Sequence, residues 1–309
     1  MWSKRSKLLS VSILIVSLIL CLNAIPVNAD SNQSNVNAFP AQKPGPPVSF
    51  NPLTASAAEL SEYGFPARPS DPTELQEWDN VMQYAKHYVE PVQYQSKMSW
   101  GLKQGGNNYY SDQAGYAVLS SDNGGHLTFN EVYGQWTQNQ SSACVGYWVG
   151  LGGMDNGYLV QAGGASDLPQ SVVIQAKLSS NYAFFVEDWP KLCIYEATPV
   201  VQAGNVLYVN VVYNGANSEA FLLNESTNTY TWVNFSTPYY NGDSAEYMFE
   251  PKQYPPPNIG SSNFSECWLD NASSGFGLFT DYTYEQYDIM NEAYPGSASN
   301  ASFTLYCPG

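Results

Sequence analysis

Two different hydrophobic periods divide the chain. Between residues 71 and 89 apolar side chains recur at spacings of three and four: Leu75, Trp78, Met82, Ala85 and Val89 form one stripe. Asp71-Pro72-Thr73-Glu74 supplies an N-cap, a proline at the first helical position and an early glutamate, and Pro91 ends the run. The pattern predicts one amphipathic helix, which needs a surface to dock on. From about Tyr109 the period drops to two, and short runs of Val, Tyr, Thr, Phe and Trp alternate with Gly, Asn, Asp and Ser turns. Leu207, Val209, Val211 and Tyr213 share one face of a strand over 206–213, which Asn214-Gly215 then turns. Residues 221–223 and 230–235 flank a polar turn and read as a hairpin. Roughly 200 residues of such text, with no repeat at a fixed period, predict an all-β, two-sheet antiparallel β-sandwich behind an N-terminal helical leader.

The segments before the strands differ in kind. Lys4, Arg5 and Lys7 precede an apolar run from Leu8 to Cys21, and Val27-Asn28-Ala29 is a small-residue cleavage site. Residues 1–29 are therefore expected to be a signal peptide, and the mature protein a secreted, extracellular one. No second apolar run reaches spanning length, so no membrane association is expected after signal removal. Residues 30–70 are rich in Pro, Ser, Asn and Ala and read as an extended linker. The expected division is 1–29 signal, 30–105 linker and helical leader, and 106–309 sandwich.

Composition narrows the chemistry. The chain of 309 residues carries 11 basic against 27 acidic residues. Nucleic acid is thereby excluded as a partner, because no basic surface can be built. Beyond Tyr109 only Lys177, Lys191 and Lys252 face 19 carboxylates, while five basic residues (Lys43, Arg68, Lys86, Lys97, Lys103) lie in the leader. Cys144, Cys193, Cys267 and Cys307 remain after signal removal, an even number that suggests two disulfides of undetermined pairing. Asn-x-Ser sequons at Asn32, Asn139, Asn224, Asn234, Asn263, Asn271 and Asn300 would mark surface loops of a glycoprotein.

Histidine is scarce: His87 lies in the leader and His126 in a Gly-rich turn, so a Ser-His-Asp triad or a His-based zinc site has no material. No Cys-x-x-Cys pair, no Asp-Thr-Gly or Asp-Ser-Gly and no phosphate loop occurs. No metal and no cofactor is expected. An enzyme built from this sequence works with carboxylates and amides.

The strand region resembles the glutamic peptidases, or eqolisins, secreted acid proteases. Ala114-Gly115-Tyr116 followed by Val132-Tyr133-Gly134-Gln135-Trp136-Thr137 resembles the family's "AGY … V-x-G-x-W". Tyr147-Trp148-Val149-Gly150-Leu151-Gly152-Gly153 resembles "WVGIDG", and Leu159-Val160-Gln161-Ala162-Gly163 resembles "LxQxG". Phe185-Val186-Glu187-Asp188-Trp189-Pro190 resembles "WYEWYP", and Ser244-Ala245-Glu246-Tyr247-Met248-Phe249-Glu250 resembles "AEWIxE". The resemblance implies a concanavalin A-like sandwich, a catalytic dyad of Gln161 and Glu246 on one concave face, and a monomer acting on protein or peptide substrates. In it Glu246 acts as general base on a water and the Gln161 amide stabilises the oxyanion. Glu187, Phe185 and Trp148 are assigned to the substrate cleft. Without the resemblance, Gln161 is a turn cap, Glu246 a solvated carboxylate, and Trp148 core packing. The family's aspartate in "WVGIDG" is Gly152 here. The leader is expected to be a propeptide whose helix and basic residues cover the acidic cleft; the other reading is a permanent arm whose apolar stripe packs on the sandwich. A carbohydrate-active or carbohydrate-binding lectin-like sandwich is the alternative function.

Overall fold

The computed structural model describes residues 42–96, 100, 112–154, 157–189, 192–215, 217–236, 240–272 and 275–308. The signal segment 1–29 and the first part of the linker lie outside the described residues. None of the helices described is long and apolar enough to cross a membrane.

Three helices, α1 (Ala57–Glu62), α2 (Pro72–Met82) and α3 (Gln170–Gln175), accompany strands β1 (His87–Tyr88), β2 (Gln93–Ser96), β3 (Ala114–Leu119), β4 (Phe129–Thr137), β5 (Val145–Leu151), β6 (Leu159–Ser166), β7 (Ala183–Trp189), β8 (Leu192–Glu196) and β9 (Val206–Tyr213). The chain continues through β10 (Asn217–Asn224), β11 (Thr229–Ser236), β12 (Ser244–Pro251), β13 (Gly260–Ser265), β14 (Trp268–Asn271), β15 (Gly275–Leu278), β16 (Tyr284–Tyr287), β17 (Tyr294–Pro295) and β18 (Phe303–Cys307). They form two sheets. The front sheet runs β16-β3-β12-β5-β6-β7-β8-β2, and the back sheet β1-β11-β10-β9-β4-β13-β18-β17, with β14 and β15 beside β4. Pairing is antiparallel except where β1 joins β11 in parallel. The expected sandwich is present, and the predicted strand 206–213 and hairpin fall on β9, β10 and β11.

Alternation sets the layers. Tyr147, Val149 and Leu151 of β5, with Val160 and Ala162 of β6, face Leu207, Val209 and Val211 of the back sheet in one core. The intervening positions, Trp148, Leu159, Phe185 and Met248 among them, form a second apolar cluster on the outer face of the front sheet. The central front strands are thus buried on both faces.

The leader covers a third surface. Asp71 caps α2 through Oδ1, which accepts from the Thr73 and Glu74 amides at 2.8 and 3.2 Å, as the sequence predicts. Trp78, Val81 and Met82 of α2 pack with Tyr133, Phe221 and Trp232 on the outside of the back sheet. The helix therefore sits on the sheet opposite Gln161 and Glu246, contrary to the expectation that it covers the acidic cleft. Lys43, likewise, pairs with Glu219 of the back sheet at 3.3 Å. Helix α1, hidden in the supposed linker, is closed by a Ser56–Glu59 capping box.

Two further expectations change. Among the described residues Cys144, Cys193, Cys267 and Cys307 form no disulfide with one another. Cys267 Sγ donates to the Ser265 carbonyl and Cys307 Sγ to that of Pro257, so their side chains are turned to backbone rather than to a partner sulfur. Of the sequons, Asn263 and Asn300 are exposed, but Asn224 and Asn271 are buried. Asn224 instead donates to the Val200 carbonyl, and Asn271 to the Tyr282 hydroxyl, because each ends a paired strand.

Candidate active site

One transverse row holds three of the residues that the sequence singles out. Across the front sheet Glu246 of β12 stands opposite Gly150 of β5, Gly150 opposite Gln161 of β6, Gln161 opposite Glu187 of β7, and Glu187 opposite Cys193 of β8. Directly opposed residues of antiparallel strands point to one side, so Glu246, Gln161 and Glu187 share the outer face. Glu246 and Gln161 are two strands apart, roughly 10 Å between backbones.

Gly150 makes the space between them. A Cβ there would stand 3.1 Å from Glu246 Oε2, 3.0 Å from the Trp148 ring and 2.8 Å from Leu159 Cδ1. A hydrogen at this point leaves the strip between Glu246 and Gln161 clear.

Each polar group is held. Gln161 Nε2 donates to Glu187 Oε2 at 2.8 Å, and the same oxygen accepts the Trp100 backbone amide at 2.8 Å. Because a carboxylate oxygen only accepts, this contact orients the Gln161 amide with nitrogen toward Glu187. Glu246 Oε1 accepts from Ser244 Oγ at 2.5 Å. Burial pushes the Glu246 carboxyl well above its ordinary range, the Ser244 hydroxyl partly offsets this, and neighbouring Asp243 adds to the rise. Glu246 Oε2 and Gln161 Oε1 are buried and have no hydrogen-bond partner. Such atoms cost free energy in a folded protein and call for a functional explanation.

The neighbouring row forms an aromatic wall: Met248, Trp148, Gly163, Phe185 and Tyr195 lie opposite one another in that order. Trp148 and Phe185 are therefore on the same face as Gln161 and Glu246, but both are fully buried and pack beneath it. Trp100 completes the wall. Its ring stacks on Phe185 at 5.2 Å, its Nε1 donates to the Tyr195 hydroxyl at 3.0 Å, and the Lys252 ammonium lies 4.3 Å from its ring centre. Gln161, Glu187 and Glu246 are each no more than 1% exposed, so this is a closed arrangement.

Sequence reasoning missed Trp100, which it left in the leader, and the roles of Ser244, Gly150 and Tyr195. Ser244 was legible in principle, being two residues from Glu246 and so on the same strand face. Trp100 carries no local signal, since it reaches the site from outside the strand pattern. Gly152 adopts φ +78°, and a Cβ there would meet the Tyr158 carbonyl oxygen at 2.7 Å and the Tyr240 ring at 3.1 Å. The family's aspartate has no room at that position. His87 and His126 are both exposed, and among the described residues no three His, Cys, Asp or Glu side chains converge as metal ligands.

The structure is thus a two-sheet sandwich with Gln161 and Glu246 buried on one face, on the strands either side of Gly150. The model of the peptidase A4 family matches residues 112–302, so the chain belongs to that family, the eqolisins, and is a glutamic-type endopeptidase that hydrolyses peptide bonds. Among solved structures, scytalido-glutamic peptidase with a transition state analog inhibitor shares the fold at a TM-score of 0.51 and 17% identity, covering 64% of this chain and 98% of that one. SCP-B, an eqolisin solved with the tripeptide Ala-Ile-His, matches at a TM-score of 0.46 and 14% identity over the same shares. Comparison with curated proteins produced no match.

Proposed function

We propose that the protein is a secreted acid endopeptidase in which Glu246 and Gln161 act on a water and a peptide carbonyl. The observation that carries the reading is the pair of buried, unpartnered atoms, Glu246 Oε2 and Gln161 Oε1, on strands that both face Gly150. A water donating to both of these acceptor oxygens over Gly150 faces the carbonyl carbon of a peptide laid across the site. Glu246 takes a proton from water as the water oxygen bonds to the carbonyl carbon, and the carbonyl π pair moves to oxygen. Nε2 of Gln161 has two hydrogens; Glu187 holds one, and the other is available to the oxyanion. Collapse of the tetrahedral carbon breaks the C–N bond, and Glu246 returns its proton to the departing nitrogen. No covalent intermediate is needed. Glu187 sets the Gln161 amide orientation rather than touching substrate itself.

The acid setting follows from the buried carboxylates. Burial pushes Glu131 and Glu225 up to about 7 and Glu196 up to about 8. Each is neutral and at ease at mildly acidic pH, and costs stability when it ionises. A fold with this burden suits an acid compartment.

The leader reading is revised. Strand β2 is an edge strand of the front sheet and Trp100 is a wall of the site, so a maturation cut must precede Gln93 for the site to survive. Such a cut fits between Glu90 and Val92, past strand β1, where both of these residues are exposed.

The test is hydrolysis of a denatured protein substrate against pH by the purified chain and its Glu246→Gln variant, beside a panel of polysaccharides. Acid-favoured proteolysis that disappears in the variant and resists chelators and serine or cysteine reagents supports the reading. Polysaccharide cleavage without proteolysis transfers the site to the carbohydrate alternative.

A further inference from the structure

The outer face of the back sheet presents a different problem from the active site. Phe221, Leu223, Tyr230 and Trp232 are each no more than 3% exposed because the leader lies on them. The Phe65 ring packs tilted against Phe221 at 5.1 Å and edge-on against Tyr230 at 5.0 Å, and Lys43 sits 4.5 Å from the Trp232 ring centre. Backbone groups join too: the His87 and Val89 amides donate to the Asn228 and Tyr230 carbonyls, and Gln42 exchanges two hydrogen bonds with the Asn234 backbone. An aromatic side chain buries about 150–250 Å², so stripping the leader would bare several hundred Å² of contiguous apolar surface. A mature secreted enzyme with that face open would aggregate.

The second observation is electrostatic. Where α2 meets the sheet, carboxylates face carboxylates. Glu74 and Glu77 of α2 line one recess with Glu266 of the sheet, and Asp71, Asp281 and Asp270 add negative charge around Glu74. Glu266 also feels Glu225 of the same sheet, and Tyr208 and Cys267 face it as neutral groups. Its Oε2 accepts from Trp268 Nε1 at 3.0 Å. A cavity of about 430 Å³ lined by Thr73, Glu77, Glu266 and Trp268 lies at this seam. The cations of the interface are placed elsewhere, Lys43 on Glu219 and Arg68 over the Trp78 ring.

We infer that the outer face of the back sheet is a lasting binding surface for residues 42–90, so that the leader stays with the sandwich as a second, non-covalently held chain after a cut before Gln93, and that this joint holds more tightly in acid than near neutrality.

The sign follows from the docked environment. In the docked structure burial, first, and then neighbouring carboxylates raise Glu74 and Glu266; the share owed to Asp270 and Asp281 for Glu74, and to Glu77 for Glu266, exists only while the leader is docked. A carboxyl raised by docking binds its proton more tightly in the docked state. The stabilisation is therefore complete below the undocked value, about 4, and is lost as pH rises through the docked value. This is the opposite of a leader released by acid. The inference does not depend on the Gln161–Glu246 chemistry and is tested without it.

The experiment uses the full chain with Glu246→Gln, to silence self-cleavage, and a recognition sequence for a site-specific protease inserted at Pro91. After cutting, size exclusion and the off-rate of a fluorescently labelled leader are measured near pH 4 and near pH 7.5. The expected result is co-elution near pH 4 and an off-rate about tenfold higher near pH 7.5, one unit of linked protonation. Glu77→Gln and Glu266→Gln, each made separately, should shrink that ratio. Release of the leader near pH 4, or an off-rate equal or slower near pH 7.5, overturns the inference.

Discussion

Gln161 donates its side-chain nitrogen to Glu187 across neighbouring strands at 2.8 Å, and the carboxylate that receives it is held in turn by the Trp100 backbone amide. The amide is thereby aimed by a residue that need not touch the substrate. Glu187→Gln keeps the volume but replaces an acceptor-only group with one that can donate, so the Gln161 amide loses its single preferred orientation. A fall in kcat of about tenfold is expected with KM little changed, because oxyanion stabilisation acts only in the transition state. Steady-state kinetics on one peptide decide it, and a drop confined to KM would remove Glu187 from this role.

The dyad itself should be far less tolerant. Gln161→Ala removes the proposed oxyanion donor, and a loss of about 10²–10³ in kcat is expected; Glu246→Gln should cost at least as much. Thermal melting of both variants checks that the fold persists. Near wild-type turnover in either one would reject the assignment.

Ser244 should set the acid limb of the pH–rate profile. Its hydroxyl favours the ionised form of Glu246, the form that the proposed reaction requires to take a proton from water. Ser244→Ala should raise the Glu246 value further and move the acid limb to higher pH by about one unit, the worth of a hydrogen bond to a charged group. Ser244→Thr, which keeps the hydroxyl, should restore the profile. An unmoved limb in the alanine variant would show that another group controls it.

Stability should also carry a pH signature. Burial holds Glu196 at about 8 against an ordinary value of 4.5, with Gln93 partly offsetting the rise. Its contribution is complete below about 4.5 and is lost as pH climbs through 8, so melting temperature should fall between mildly acidic and mildly alkaline pH. Glu196→Gln removes the charge and should flatten that decline. Calorimetry across the range measures it, and a melting temperature that rises toward alkaline pH would contradict it.

The family's carboxylate at the position of Gly152 should be irrecoverable here. Gly152→Asp imposes a side chain at φ +78°, with its Cβ 2.7 Å from a backbone oxygen and 3.1 Å from the Tyr240 ring. A destabilisation of about 1–3 kcal/mol is expected from the strain alone. Denaturant titration gives the value, and unchanged stability would mean that Tyr240 yields.

Much of this protein was legible in one dimension. The period-two text from Tyr109 onward, the Asp71 cap and the Asn214-Gly215 turn are local features, so β9, the β10–β11 hairpin and α2 could be located before any fold was known. Gln161, Glu187 and Glu246 stood in short motifs, and strand alternation alone implies which neighbours share their faces. What alternation cannot state is register between strands distant in sequence. That Glu246 meets Gly150, and Gly150 meets Gln161, depends on hydrogen-bond pairing over tens of residues, which only closure of the sheet decides. The same holds for Trp100, which no local pattern draws to Glu187, and for α2, whose stripe required an apolar partner without saying which sheet would supply it. The charge contrast between leader and sandwich suggested the acidic cleft. The aromatic face of Phe221, Tyr230 and Trp232 won instead, because burying apolar area outweighs attraction between solvated charges, and its location emerges only when the back sheet is assembled.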